Sequence, residues 1–173
     1  MCIRDSIGAK HFEDFQKVSE RFSVHTLCGL TREAIDKILQ SNTETKVSLN
    51  YDDVLKVKEI DIIDICLPPN LHFSACKKAM EAGKHVICEK PLVSSLKEVD
   101  ELEKISRATG KIIFPVFQYR YGLGFSKLKA LIKSGLTGKP LVASLETHWN
   151  RGKDYYSKPV SYTHLTLPTI LLV

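Results

Sequence analysis

The sequence predicts an α/β protein built on a mostly parallel β-sheet. Short apolar runs alternate with helix-like segments of roughly 10–15 residues, a pattern typical of βαβ units with helices on both faces of a sheet. The shares of apolar residues, 43%, and charged residues, 26%, are ordinary for a globular domain. The alternation changes after residue 118, which predicts the start of a second domain.

Four apolar runs bounded by turn residues predict the strands of the sheet. They cover residues 24–30, 61–67, 85–88 and 111–117. Pro115 predicts that the last strand lies at a sheet edge or ends there, because proline cannot donate a ladder hydrogen bond.

Apolar residues at helical spacing predict the helices. They cover residues 11–21, 31–40, 51–57, 73–82 and 96–109. The last helix has the clearest ends, because Ser95 and Glu98 form an S-x-x-E capping box before it and Gly110 follows it as a stop. Gly83 is placed as the stop of the preceding helix.

We assign residues 7–118 to a first domain and residues 119–159 to the start of the second, with the boundary near Tyr119. In the second segment we predict a helix at 125–133 and an alternating strand at 141–149.

The two ends fit poorly with the segments beside them. Residues 1–6 (MCIRDS) and 160–173 (VSYTHLTLPTILLV) resemble translated read-through of sequencing adapters, so we leave them out of the fold. The alternative is a natural terminus with a C-terminal apolar strand. If the ends are foreign, we expect the natural gene to extend in both directions.

Charge and cysteine content restrict the class of protein. The net charge of +5 is spread among acidic residues without a long like-charged run, so we expect no nucleic-acid partner. No apolar stretch is long enough for a membrane span, and no secretion signal is recognisable. Five cysteines without metal spacing predict reduced thiols and a cytoplasmic protein, with Cys28, Cys66 and Cys88 buried in or beside strands.

The residues around Gly8 could belong to a phosphate-binding turn. Ile7 and Gly8 lead into a helix, and Gly8 could be the third glycine of a dinucleotide fingerprint, G-x-G-x-x-G, whose helix N-terminus receives the pyrophosphate. The first two glycines would then fall at Ile3 and Asp5, so the fingerprint is incomplete.

The end of the next strand suggests which dinucleotide is bound. A fingerprint of this kind usually supplies a carboxylate for the ribose there, but this chain has Gly29, followed by Thr31 and Arg32. Because arginine can pair with a phosphate through two N–H donors, we favour NADP over NAD. The alternative is that Thr31 caps a helix and Arg32 is solvated.

Two further segments follow predicted strands, where ligands bind in open α/β sheets. The first segment contains Leu67, Pro68, Asn70 and His72. Asn70 offers a hydrogen-bond donor and an acceptor to a ribose or carboxamide. The alternatives are that Asn70 caps the following helix and that His72 is one of the first residues of that helix. The second is Glu89–Pro91, in which Lys90 could exchange a hydroxyl proton with the substrate while a hydride moves to or from nicotinamide. From chemistry alone, a salt-bridged surface lysine is the more common case.

The run AGKHVICEKP (82–91), preceded by LPPNLH (67–72), resembles the glucose–fructose oxidoreductase and inositol dehydrogenase family. The segments IGAKH (7–11) and RYG followed by SGLTGKP (120–140) agree with it. The resemblance implies a Rossmann domain and a second α/β domain with an open antiparallel sheet, here incomplete. It also implies a sugar-like or cyclitol small-molecule substrate and a homo-oligomer when the chain is complete.

The resemblance assigns roles to individual residues. Lys90 is the expected catalytic residue, next to both nicotinamide and substrate, and Glu89 shapes its turn. Gln118 falls where many members place an amide near the nicotinamide. On the substrate side it suggests Arg120, Trp149 and Tyr156.

This chain departs from the family pattern where the later Gly-rich segment and its Asp and His pair would stand, so we predict that the 173 residues alone are inactive. The function expected of the complete protein is hydride transfer between nicotinamide and a hydroxyl or keto carbon. The alternatives are a non-catalytic dinucleotide sensor of the same fold and an interaction fragment without cofactor; the Glu89–Lys90–Pro91 context counts against the fragment.

Overall fold

A computed structural model describes residues 2–3, 6–39, 44–139, 141–142, 144, 146, 150 and 152. The chain divides into two compact units, Met1–Gln118 and Tyr119–Val173. Among the described helices, none is both long and apolar enough to cross a bilayer.

The first unit contains a six-stranded sheet in which every neighbouring pair is parallel. The strands are β1 (Cys2–Ile3), β2 (Thr26–Gly29), β3 (Lys46–Ser48), β4 (Ile62–Cys66), β5 (His85–Cys88) and β6 (Ile113–Pro115). Their spatial order is β3-β2-β1-β4-β5-β6, the doubly wound order of a Rossmann fold. The predicted α/β class with a parallel sheet is therefore confirmed, and β6, which carries Pro115, lies at the edge of the sheet.

Helices connect the strands in the first unit. They are α1 (Ser6–Gln16), α2 (Arg32–Leu39), α3 (Tyr51–Leu55), α4 (Pro69–Glu81) and α5 (Leu96–Thr109). The second unit contains α6 (Leu123–Lys133), and a 3₁₀ turn, Gln118–Tyr121, spans the boundary between the units.

Two apolar clusters form the core because strand side chains alternate between the faces of the sheet. One cluster joins Ile63 and Ile65 of β4 to α4 and to Leu102 of α5. The other joins Cys66 of β4 to Phe12 of α1 and to α2. Asp64 stands two positions before Cys66, so its side chain belongs to the face that α1 covers.

The capping signals of α5 are confirmed. The Glu98 N–H donates to Ser95 Oγ at 3.3 Å, and Glu98 Oε2 accepts the Ser95 N–H at 3.1 Å. Gly110 follows with φ +67°, a left-handed conformation that glycine adopts without a Cβ penalty.

Two strands were missed. Residues 1–6 resemble adapter read-through in sequence, yet Cys2–Ile3 pair with β2 and β4 in the middle of the sheet. Strand pairing uses backbone groups, so most dipeptides without proline can fill this position. The three residues of β3 were too short to give an alternating pattern.

Two helices begin earlier than predicted. α1 begins at Ser6 and α4 at Pro69, before the apolar spacing becomes regular. Proline suits the first turn of a helix because its missing N–H would have no partner there. The strand predicted at 141–149 falls largely outside the described residues.

Candidate functional site

The predicted site segments of the first unit lie at one edge of the sheet. Because all six strands are parallel, the residues that follow β1, β2, β4, β5 and β6 leave from the same, carboxyl-terminal edge. Ligands of doubly wound sheets bind there, in the crevice where the strand order reverses, which in this sheet is between β1 and β4.

The first turn of α1 agrees with a close helix–strand contact. Gly8 is buried and Ile7 is 43% exposed. A small residue at this place lets the helix approach the sheet, as the third glycine of a dinucleotide fingerprint does. The preceding turn, residues 4–5, lies outside the described residues.

Thr31 and Arg32 begin α2 on the surface. Thr31 Oγ1 accepts the Ala34 N–H at 3.3 Å, and Arg32 Nε donates to Asp36 Oδ1 at 2.9 Å. Thr31 therefore acts as a helix cap, as the alternative interpretation expected. The Arg32 ion pair lies on an exposed surface, where such pairs are weak.

The segment after β4 turns directly into α4. Pro68 is the N-cap residue and makes no side-chain cap bond, and Pro69 is the first helical residue. Asn70 is the second residue of the helix and is exposed, so it is not the cap. Leu67 and Pro68 are half-buried at the sheet edge.

His72, predicted on the cofactor side, is buried between two loops. Its side chain is fully buried, with Nε2 2.7 Å from the Leu67 carbonyl oxygen and Nδ1 2.7 Å from the Pro91 carbonyl oxygen. The imidazole thus joins the loops that follow β4 and β5 through both of its ring nitrogens.

Glu89 and Lys90 follow β5 with opposite exposure. Glu89 is half-buried, whereas Lys90 is exposed and is joined to Pro91 by a cis peptide bond. Among the residues that the structure describes, no carboxylate lies within ion-pair distance of the Lys90 ammonium. Within that part of the chain, the lysine does not form the salt bridge that the alternative interpretation expected.

The other residues predicted to contact nicotinamide or substrate lie at position 118 and beyond. Gln118 is exposed and is the last residue of the first unit. Arg120 is exposed in the second unit. Trp149 and Tyr156 lie outside the described residues.

A cluster of ionisable side chains that the sequence analysis missed lies beside this edge. His11 of α1 places Nδ1 3.0 Å from Asp64 Oδ2 and Nε2 3.1 Å from Glu89 Oε1. Cys66 Sγ lies 3.3 Å from the same Nδ1 and 3.7 Å from Asp64 Oδ2. We call His11, Asp64, Cys66 and Glu89 the buried ionic cluster.

The contacts of this cluster shift its pKa values. Hydrogen bonds to Asp64 first, and to Cys66 and Glu89 next, raise the pKa of His11 to about 12. Burial raises the pKa of Cys66 to about 11. Burial also acts to raise the pKa of Glu89, but hydrogen bonds from His11 and from the Lys90 backbone N–H outweigh it, and the net shift is downward.

One sequence signal could have located the cluster. Asp64 interrupts the apolar run Ile62–Cys66, and a carboxylate inside a buried strand requires a partner. The sequence could not name the partner, because His11 lies 53 residues from Asp64 and only the strand order brings the two together. The same order brings His11 to Glu89, 78 residues away.

The free cysteines in the described part of the chain agree with the predicted reduced thiols. Cys28, Cys66, Cys76 and Cys88 are all buried and form no disulfide. Their burial confirms the interpretation of the strand cysteines as small core residues.

Comparisons with known proteins agree with the fold. Residues 5–117 match an oxidoreductase family with an NAD-binding Rossmann fold. An uncharacterised oxidoreductase of Escherichia coli, YdgJ, is 33% identical over 123 residues, which are 66% of this chain and 35% of that protein. The myo-inositol 2-dehydrogenase of Thermotoga maritima is 25% identical over 92% of this chain and 46% of its own length.

Solved structures give the same result. The crystal structure of myo-inositol 2-dehydrogenase from Lactobacillus plantarum superposes with a TM-score of 0.72 at 26% identity, covering 80% of this chain and 41% of that one. The chain therefore spans less than half the length of these three relatives.

Proposed function

The chain belongs to the GFO/IDH/MocA family of oxidoreductases, which have an NAD-binding Rossmann fold, and from this premise we propose that it is the dinucleotide-binding part of a dehydrogenase acting on a sugar or cyclitol. The reaction is the transfer of a hydride between nicotinamide and a carbon that bears a hydroxyl or keto group. The name of the Thermotoga maritima relative, myo-inositol 2-dehydrogenase, supports a polyhydroxylated substrate.

The observation that carries the proposal is the place of Lys90. Its side chain is exposed at the carboxyl-terminal edge of the sheet, directly after β5, and pairs with no carboxylate in the described part of the chain. An amine in that position is available to a ligand bound at this edge, and no carboxylate among the described residues pairs with its proton-carrying nitrogen.

Several residues at this edge fit a dinucleotide. The buried Gly8 allows α1 to begin close to the sheet, so that its N-terminus can face a pyrophosphate. The segment after β4, next to the point where the strand order reverses, contains Leu67, Pro68 and the exposed Asn70. Gln118 is the last residue of the first unit. Bound there, the nicotinamide would accept or supply the hydride.

Lys90 would carry the proton of the same reaction. In oxidation, the uncharged amine takes the proton of the substrate hydroxyl while the hydride leaves the carbon, and a carbonyl forms. In reduction, the ammonium returns that proton to the oxygen. The substrate must also be held so that both transfers are aligned.

We assign NADP as the preferred dinucleotide. Gly29 ends β2 without a carboxylate that would repel a 2′-phosphate, and Arg32 stands three residues later. Its pair with Asp36 is solvent-exposed and therefore easily exchanged for a phosphate contact.

The experiment is a kinetic comparison of Lys90→Ala with Lys97→Ala in the full-length protein encoded by the gene. Lys97 is an exposed lysine of α5 and is the matched control. We expect Lys90→Ala to lower kcat by roughly 10²–10⁴-fold with little change in dinucleotide Kd, and Lys97→Ala to leave both unchanged. An unchanged kcat in Lys90→Ala would remove Lys90 from the reaction.

A further inference from the structure

The buried ionic cluster holds two carboxylates and one imidazole with little access to water. The side chains of Asp64, Glu89 and His11 are 5%, 12% and 17% exposed. Burying two carboxylates is costly unless a cation and hydrogen bonds compensate them. The two buried carboxylates beside Lys90 therefore need a compensating cation.

The geometry makes His11 the cation between the two carboxylates. Its two ring nitrogens face carboxylate oxygens on opposite sides, at 3.0 and 3.1 Å. An ionised carboxylate only accepts hydrogen bonds, so both nitrogens must donate, which only the imidazolium can do. The raised pKa of His11 agrees with this state.

The second oxygen of Glu89 continues the chain of bonds to the reaction centre. Glu89 Oε2 accepts the backbone N–H of Lys90 at 3.0 Å, while Oε1 accepts from His11. The Glu89 N–H donates to the Ile65 carbonyl of β4 at 3.0 Å. Glu89 is therefore fixed through its backbone and through both carboxylate oxygens.

We infer that His11 is a positioning residue, which orients the Lys90 peptide by clamping the Glu89 carboxylate between α1 and the end of β5. This inference rests on the proposed function, because the orientation of Lys90 affects the rate only if Lys90 transfers the proton. His11 itself touches neither substrate nor cofactor in this account.

A metal centre is the competing explanation of the cluster. His11, Asp64 and Cys66 offer three ligand atoms that lie within 4.8 Å of one another. Binding a metal would require a thiolate and an unprotonated Nδ1. Burial, which keeps the Cys66 thiol protonated, and Asp64, which keeps Nδ1 protonated, both oppose this.

The decisive experiment is a double-mutant cycle in the full-length protein. We expect His11→Ala and Glu89→Ala each to lower kcat by about 10²-fold, the effect of a small misplacement of a reacting group, with unchanged dinucleotide Kd. Because the two residues act in series, the double variant should be no slower than either single variant. Multiplied effects in the double variant would overturn the inference.

A conservative variant separates positioning from mere support of the fold. The amide oxygen of Glu89→Gln can still accept the Lys90 N–H, so this variant should keep most of the kcat that Glu89→Ala loses. Equal losses in Glu89→Gln and Glu89→Ala would contradict the clamp. The matched controls are His25→Ala and Glu103→Ala. His25 is a half-buried histidine and Glu103 an exposed glutamate, both outside the cluster, and both variants should keep the wild-type kcat.

The failure of this inference can be told from the failure of the proposed function. If Lys90→Ala retains kcat, the proposed function is wrong and the inference falls with it. If Lys90→Ala loses kcat while folded His11→Ala keeps it, only the inference is wrong. Should His11→Ala not fold, ¹⁵N spectra of the 173-residue chain test the clamp directly: two protonated ring nitrogens of His11 at pH 8 support it, and a neutral ring or stoichiometric Zn²⁺ binding overturns it.

Discussion

At the scale of single residues, the contacts of His11 predict a large effect on stability. Its imidazolium compensates two carboxylates that are 5% and 12% exposed. We expect His11→Ala to lower the free energy of unfolding by about 3–5 kcal/mol at pH 7, because the variant leaves two buried charges without a cation. Urea denaturation measures this, and a loss no greater than that of His25→Ala would contradict it.

The same residue predicts a pH dependence. The pKa of His11 is raised from 6.5 to about 12, so its contribution to stability is complete below about pH 6.5 and declines as the pH rises towards 12. The stability difference between wild type and His11→Ala should therefore shrink from pH 7 to 9.5, by no more than about 1.4 kcal/mol per pH unit. Urea denaturation at both values provides the check, and a constant or growing difference would show that the histidine is not a cation.

Arg32 provides the residue-scale test of the dinucleotide preference. We expect Arg32→Ala to weaken NADPH binding by about tenfold or more and NADH binding little, because only NADPH offers a 2′-phosphate to the guanidinium. Titration of the full-length protein with each dinucleotide measures both Kd values. Asp36→Asn is the control, since it frees Arg32 without removing it. Equal weakening of both dinucleotides would reject the NADP preference.

At the scale of single elements, α5 depends on its capping box. We expect Ser95→Ala to lower the free energy of unfolding by about 1 kcal/mol, because the Glu98 N–H loses its acceptor. Ser94→Ala is the control, since Ser94 contributes its backbone N–H to Glu98 rather than a cap bond. Denaturant unfolding of the 173-residue chain compares the two, and equal stabilities would contradict the role of the cap.

The elements also show how far the sequence could predict the structure. The strand at His85–Cys88 and the helix at Leu96–Thr109 were predicted with the observed bounds, because turn and capping residues mark their ends. β1 was missed because residues 1–6 resemble adapter read-through, and β3 was missed because its three residues, Lys46–Ser48, do not lie within an apolar run. Their positions are set by pairing with neighbours, which no local signal records.

At the scale of the whole molecule, the parallel sheet places distant segments at one edge. Alternating strands and helices predicted the parallel sheet, but its strand order could not be read from the pattern alone. The contact between His11 and Glu89 spans 78 residues and depends on that order. For this reason the sequence indicated Lys90 through its motif and Asp64 through its place in a buried strand, yet it could not name His11 as the partner of Asp64 and of Glu89. It also could not show that His72 is fully buried.

The proposed activity of the complete protein is the transfer of a hydride from a substrate carbon to nicotinamide. The most direct measurement incubates the full-length protein and NADP or NAD with perdeuterated inositols and aldoses, and then locates deuterium by mass spectrometry. We expect deuterium to appear on the reduced nicotinamide and Lys90→Ala to slow its transfer. Reduced dinucleotide without the label, or dinucleotide binding without transfer from any of these compounds, would contradict it.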